Sequence, residues 1–90
     1  MNMNRIQVVL TIDIENLPFN FQEILKEEQA VVAKWKEEGV LEHLYLRNEK
    51  NGAVLVFKNL DENQVKELMT ELPFFKIKKS IDYYSLIRQF

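Results

Sequence analysis

The stretch VLEHLYLRNEKNGAVLVFK, residues 40–58, decides the fold of this 90-residue chain. Residues 40–47 are rich in side chains that favour strands, and residues 53–58 form an apolar run of strand length. Between them, Asn51 and Gly52 tolerate the positive φ angles that a tight hairpin turn requires. We therefore expect two strands that pair antiparallel at the centre of the sequence.

A helix is predicted before this hairpin. Asn20 can cap it, with Glu23 three residues later reaching back, and the helical pattern runs to about Glu38 and stops at Gly39. Its apolar stripe follows the spacing of one helix face and consists of Phe21, Ile24, Leu25, Val31, Val32 and Trp35. Glu28 falls in the middle of that stripe, which is an unusual position for a carboxylate.

A second helix is predicted after the hairpin. Asp61 and Gln64 form a capping pair before it, and Pro73 prevents its continuation because the residue before a proline is pushed out of the helical region. Its inward residues are Val65, Leu68, Met69 and Leu72.

The two ends of the chain are predicted to be strands, over residues 5–14 and about 75–87. In the first of them, strict alternation predicts one buried face formed by Ile6, Val8, Leu10, Ile12 and Ile14. In the last, Lys79 interrupts the apolar row and indicates a β-bulge. The resulting order, β-α-β-β-α-β, predicts the α+β ferredoxin-like fold, with a four-stranded antiparallel sheet and two helices on one face.

The other face of this sheet is expected to be partly apolar. The strands carry apolar residues opposite their buried rows, namely Val9, Val54, Val56, Phe74, Tyr84 and Leu86. A large exposed apolar surface usually marks an interface, so we expect a homodimer or higher homo-oligomer whose sheets pack face to face.

Composition narrows the function classes. Residues 1–90 are expected to form one domain, and a net charge of −2 without a basic block disfavours nucleic acid as a partner. There is no cysteine and no long apolar run, so we expect a cytoplasmic protein without a membrane segment. The sequence lacks glycine-rich phosphate loops and nucleophile motifs, and its single histidine makes a metal site unconvincing; neither a cofactor nor a metal is expected.

From about Glu27 onward the chain resembles the muconolactone isomerase family, small proteins of the dimeric α+β barrel type. The resemblance depends on order and spacing: a Gly ends the first helix, a His-Leu pair lies in the second strand, a Val-Phe pair lies near the end of the third, and a Leu-Pro-hydrophobic-Phe motif precedes the last. The matching residues are Gly39, His43 with Leu44, Val56 with Phe57, and Leu72, Pro73, Phe74 and Phe75.

The resemblance implies an oligomer and a proton shift that moves the double bond of an unsaturated lactone. Members of the family carry an acidic pair followed by Lys on the first helix; here the acids are Glu27 and Glu28, and Gln29 replaces the Lys. An Arg that precedes the His of the second strand is replaced by Glu42.

Glu28 and His43 are the candidate catalytic residues. Burial on the apolar stripe would raise the pKa of Glu28 and make it a usable base; the alternative is a carboxylate at the stripe edge, paired with a lysine or solvated. His43 has a pKa range that suits proton transfer, and the alternative is an ordinary hydrogen-bonded side chain. Two function classes stay open: an enzyme acting on a small carbonyl compound in a pocket between helix and sheet, and a non-catalytic oligomeric module that binds a small ligand or only assembles.

Overall fold

The sheet and helices follow the predicted order. The computed structural model describes residues 4–49 and 51–89. Its elements are β1 (Asn4–Ile12), α1 (Phe21–Glu38), β2 (Leu41–Leu46), β3 (Gly52–Lys58), α2 (Glu62–Met69) and β4 (Lys78–Ile87), with short 3-10 helices at Ile14–Asn16 and Pro73–Ile77. The four strands form one antiparallel sheet in the order β2-β3-β1-β4, which confirms the α+β ferredoxin-like fold.

The core lies between the helices and one face of the sheet. Trp35 of α1 meets Phe57 of β3 edge to face, with ring centroids 5.6 Å apart. The buried apolar residues are Ile6, Val8, Leu10, Ile12, Trp35, Leu41, Ala53, Leu55, Phe57, Val65, Met69, Leu72 and Phe74. Because side chains alternate along a strand, the other face, which we call the open face, carries the residues between these core positions.

The helix ends confirm most of the predicted signals. Gly39 has φ 78° and its N–H bonds the Lys36 carbonyl, so the residue that ends α1 is in the left-handed region that favours glycine. At the start of α2, Asp61 accepts a 2.7 Å bond from Gln64 N–H, and Gln64 Oε1 accepts a 2.9 Å bond from Asp61 N–H. In the part of the chain that is described, no helix has both the length and the apolarity that crossing a membrane requires.

The predicted side-chain cap at Asn20 is wrong. Asn20 precedes α1, but its backbone is at φ −92° and ψ 26°, away from the extended conformation from which a capping side chain reaches the first turn. Its carbonyl accepts from the N–H groups of Glu23 and Ile24 instead.

The predicted extent of the first strand is also too long. β1 ends at Ile12, because Asp13 Oδ1 accepts a 3.1 Å bond from Glu15 N–H and starts a 3-10 helix. Ile14 therefore leaves the buried row and is exposed.

The last strand begins later than predicted. Pro73 opens the 3-10 helix Pro73–Ile77, so β4 starts only at Lys78. Phe74 consequently does not lie on the open face: it is buried in the core and stacks on Phe21 of α1, with ring centroids 5.7 Å apart.

Two strand irregularities determine on which face of the sheet the neighbouring side chains lie. The bulge predicted at Lys79 is confirmed, since Thr11 pairs with Ser80 and Ile12 with Lys78. A second irregularity separates Leu41, which pairs with Phe57, from His43, which pairs with Val56. It leaves Leu41 in the core and turns His43 to the open face, whereas regular alternation along β2 would place both residues on one face.

The hairpin is longer than a two-residue turn. β2 ends at Leu46 and β3 begins at Gly52, and the Arg47 N–H bonds the Gly52 carbonyl at 3.0 Å. Gly52 lies so close to β1 that an added Cβ would overlap the Leu10 carbonyl oxygen. A glycine is required here because there is no room for a side chain.

Candidate functional site

Glu28 is a buried carboxylate on the core side of α1. It is 8% exposed, and its Oε1 accepts a 3.1 Å hydrogen bond from the backbone N–H of Phe74. Desolvation by burial raises the pKa of Glu28 from 4.5 to about 7, although the bond from Phe74 opposes this rise. The position of Glu28 on the apolar stripe of α1 therefore places in the protein interior a carboxyl group that titrates close to neutral pH.

The same hydrogen bond ties α1 to the 3-10 helix Pro73–Ile77. Leu72, the cap residue of that helix, provides no side-chain hydrogen bond, and Glu28 supplies an acceptor to the helix's first turn from outside. The stacked rings of Phe21 and Phe74 lie at the same junction, with an interplanar angle of 14°. Glu28 thus has a structural role at this junction.

A cavity of about 430 Å³ opens beside this junction. Its apolar walls include Ile24, one helical turn before Glu28, and Pro73, which directly precedes Phe74. Glu27, Glu71 and Lys76 also line the cavity and give it charged groups of both signs; its remaining lining residues are Asn20, Thr70, Leu72 and Ile77. Glu28 itself does not line this space.

His43 lies on the open face of β2. Its side chain is 55% exposed, stacks beside Tyr45 with ring centroids 6.0 Å apart, and approaches Glu42 Oε1 to 3.9 Å through Nε2. Glu28 is on the helix side of the sheet and His43 on the opposite side. Within one chain, the structure therefore does not bring the two candidate residues into one pocket.

Glu42, the residue before His43, is bound to an arginine that the sequence analysis had not singled out. Arg5 of β1 donates from Nε to Glu42 Oε1 at 2.8 Å and from Nη2 to Oε2 at 3.2 Å. The hydrogen bond from Arg5 is the main cause that lowers the pKa of Glu42, and the positive charges of Arg5, His43 and Arg88 lower it further. In the sequence, Arg5 is marked only as a charged residue within an alternating strand segment. Its partner, Glu42, lies 37 positions away, so the pair could not be recognised locally.

This pair borders a second cavity, of about 440 Å³, at one end of the open face. Every strand contributes to its lining, which consists of Arg5, Glu42, His43, Val56, Leu86, Ile87 and Arg88. We call it the open-face cavity.

The two tyrosines of β4 are separated by the sheet. Tyr83 pairs with Val8 on the helix side, where burial raises the pKa of its hydroxyl and Lys66 Nζ lies 5.3 Å from its ring centroid. Tyr84 is exposed on the open face. Among residues 4–49 and 51–89, no three His, Asp or Glu side chains group together in a way that could hold a metal ion.

Comparison with known structures identifies the fold. Muconolactone isomerase aligns with a TM-score of 0.73 and 16% identity, over 96% of this chain and 88% of that chain. A 5-chloro-2-hydroxyhydroquinone dehydrochlorinase from Burkholderia phenoliruptrix AC1100, solved in complex with 2,5-dihydroxybenzoquinone, aligns with a TM-score of 0.61 and 12% identity, over 89% and 90%. A hypothetical protein from Pyrococcus horikoshii aligns with a TM-score of 0.53 and 9% identity, over 97% and 93%.

No protein-family profile matches the sequence, and a search of curated proteins finds no match. At such low identities the likeness concerns the fold. The chain therefore has a muconolactone isomerase-like fold, as the resemblance in the sequence predicted.

Proposed function

We propose that this chain, which shares the fold of muconolactone isomerase, binds a small unsaturated carbonyl compound and moves a proton within it. Glu28 is the proposed proton carrier. The observation that supports this role is a buried carboxyl group whose pKa is raised to about 7, because such a group is partly ionised near neutral pH. A general base of that pKa can both take and return a proton at cellular pH.

The proposed step needs no external reactant. Ionised Glu28 removes a proton from the carbon next to the substrate carbonyl, and the electron pair of the C–H bond moves into a conjugated enolate. Protonated Glu28 then returns the proton to the far end of the conjugated system. The double bond shifts by one position, and the carboxylate is regenerated.

The contact with Phe74 fits this role. The Phe74 N–H holds Oε1, and in the described part of the chain no other hydrogen bond reaches the carboxylate. Oε2 is therefore the oxygen proposed to meet substrate. The substrate would approach through the cavity lined by Ile24, Pro73 and Ile77, whose lining includes the α1 neighbours of Glu28 but not Glu28 itself.

We also propose that the chain associates with a second copy through the open face. Tyr45, Tyr84 and Leu86 are exposed there, with Val54 and Val56 between them half-buried. A domain of this size buries a modest share of its surface alone, which favours association. Sedimentation should give a homo-oligomer at micromolar concentration that Val56→Glu weakens; a monomeric wild-type protein would contradict this proposal.

A second candidate function is a non-catalytic module that assembles or binds a small ligand. The Glu28–Phe74 hydrogen bond favours it, because holding the 3-10 helix Pro73–Ile77 is a sufficient reason for a carboxylate in this position. Gln29 and Glu42 stand where the isomerase family has cations, which weakens the case for the isomerase's own anionic substrate.

Proton exchange measured by NMR in heavy water distinguishes the two. Muconolactone and a β,γ-unsaturated lactone without a carboxylate are incubated with the wild type, Glu28→Gln and His43→Ala. We expect the wild type to exchange the proton next to the carbonyl or to shift the double bond, and Glu28→Gln to lose at least about 100-fold in rate. His43→Ala should stay within a few-fold of the wild type. An active Glu28→Gln would exclude Glu28 as the base. An inactive wild type would contradict the proposed proton transfer and favour the non-catalytic module.

A further inference from the structure

The cavity beside the Glu28–Phe74 junction is lined by more negative than positive charge. Its lining includes two carboxylates, of Glu27 and Glu71, and one ammonium group, of Lys76, so the formal charges leave an excess of one negative charge. In the part of the chain that the structure describes, no salt bridge or side-chain hydrogen bond engages these three groups. All three can therefore act on a ligand in the cavity.

Lys76 is the group that suits a carbonyl oxygen. It belongs to the 3-10 helix Pro73–Ile77 and follows Phe74, whose N–H holds Glu28 Oε1, by two residues. Ile24, one helical turn before Glu28 on α1, lines the same cavity. Removal of a proton next to a carbonyl leaves negative charge on the carbonyl oxygen, and a cation at that oxygen stabilises it. Among the described residues that line the cavity, only Lys76 can supply this charge.

A carboxylate on the substrate would find no partner here. Once Lys76 binds the carbonyl oxygen, the remaining charged groups of the lining are Glu27 and Glu71, which repel an anion. Glu28 acts as a base only when it is ionised, and in that form it repels an anion as well. The charges of the cavity therefore favour a substrate that carries no charge.

The approach to the cavity is acidic too. Thr70 and Glu71 also line an adjoining groove of about 630 Å³, whose described lining contains Glu38 and Glu67 and no cation. Negative potential along an approach lowers the local concentration of anions and leaves that of neutral molecules unchanged. Selection against anions therefore begins outside the cavity.

We infer that the cavity takes an uncharged conjugated carbonyl compound, a ketone, ester or lactone without a carboxylate, and that Lys76 binds its carbonyl oxygen. Lys76 is then a second catalytic residue, which stabilises the enolate while Glu28 carries the proton. Its ammonium group donates a hydrogen bond and keeps its proton throughout. Glu27 and Glu71 determine specificity by repelling carboxylates. The inference rests on the proposed proton transfer and names the substrate class of the same site.

Muconolactone and its primary amide test the inference, because they share one skeleton and differ in charge. Backbone NMR titration of the full chain measures binding, and proton exchange in heavy water measures turnover. We expect the amide to shift the signals of Ile24, Glu27 and residues 73–77. It should bind and exchange about three- to tenfold better than the acid, the range expected for exposed charges.

Two pairs of variants separate the roles of the charged groups. Glu71→Gln should reduce the preference for the amide about two- to threefold. Its matched control is Glu37→Gln, which removes an exposed carboxylate roughly 15 Å beyond Glu27 on α1 and should leave the preference unchanged. Lys76→Gln should slow exchange of the saturating amide about tenfold, and Lys76→Arg should retain most of the rate. Lys79→Gln, which removes an exposed cation outside the cavity lining, should not change it.

The outcomes distinguish this inference from the proposed function. A wild type that binds and exchanges the acid as well as the amide would overturn the inference and leave the proton transfer standing. An unchanged rate in Lys76→Gln would overturn the role of Lys76. Selective binding of the amide without any exchange would contradict the proton transfer and support the charge selection by the cavity. A wild type that binds neither compound would overturn the inference.

Discussion

Replacing Glu28 by glutamine should make the stability of the protein less dependent on pH. The folded state binds a proton at Glu28 more tightly than the unfolded state does, because burial raises the pKa from 4.5 to about 7. The stability that this proton contributes is fully present below the unfolded pKa and is lost as the pH rises through the folded pKa. A difference of this size corresponds to about 3 kcal/mol.

Glutamine preserves the shape of the site and removes only the titration. Its amide oxygen can still accept the hydrogen bond from Phe74 N–H, whereas Glu28→Ala loses this acceptor as well. We therefore expect the free energy of unfolding of Glu28→Gln, relative to the wild type, to rise by about 2.5 kcal/mol between pH 5 and pH 8, slightly less than the full effect because pH 5 lies above the unfolded pKa. Glu28→Ala should be less stable than Glu28→Gln at every pH by about 1 to 3 kcal/mol, the cost of an unpaired buried N–H.

Urea unfolding followed by fluorescence measures these differences, because Trp35 is the only tryptophan and is 2% exposed. All variants are compared at one protein concentration, so that self-association affects them equally. The lowered pKa of Glu42 makes its stabilising effect disappear as the pH falls, but this effect is common to all three proteins and cancels in the comparison. A stability difference between Glu28→Gln and the wild type that stays constant from pH 5 to pH 8 would refute the reasoning.

Substitutions at Gly52, Asp61 and Phe57, with Gly39→Ala and Asp61→Ser as matched controls, test the fold. Gly52→Ala should lower the free energy of unfolding by about 3 kcal/mol or more, because the added Cβ would meet the Leu10 carbonyl oxygen. Gly39→Ala has open space around its Cβ and should lose only about 1 to 2 kcal/mol, for its left-handed backbone, and thermal unfolding compares the two variants. Asp61→Ala should cost about 1 kcal/mol through loss of the α2 cap, and Asp61→Ser should recover most of it in urea unfolding. Phe57→Ala should cost about 3 to 5 kcal/mol because Phe57 is fully buried, and a loss below 1 kcal/mol would contradict the described core.

Local signals made much of the fold predictable. The cap at Asp61, the glycine at the end of α1 and the lysine that marks the β4 bulge each act within a few residues, and all three are found where the sequence places them. The errors arose where two local signals compete. Alternation continues through Ile14, but the Asp13 side chain starts a 3-10 helix there, and the proline at position 73 starts another that carries Phe74 into the core.

The candidate sites were predictable only in part. The stripe position of Glu28 predicted its burial, because the helical period determines which face a residue occupies. The face of the sheet on which His43 lies depends on a strand irregularity that no local sequence signal predicts. Arg5 meets Glu42 through the register of β1, β3 and β2 together, and pairing between such distant positions follows from the assembled sheet.

Direct titration of the Glu28 side-chain carboxyl by carbon-detected NMR, with Glu28→Gln used to assign the signal, tests the central claim most directly. We expect a midpoint near 7, as burial in the core requires. A midpoint close to 4.5, the ordinary value for glutamate, would show a solvated carboxylate and would contradict its proposed role as proton carrier.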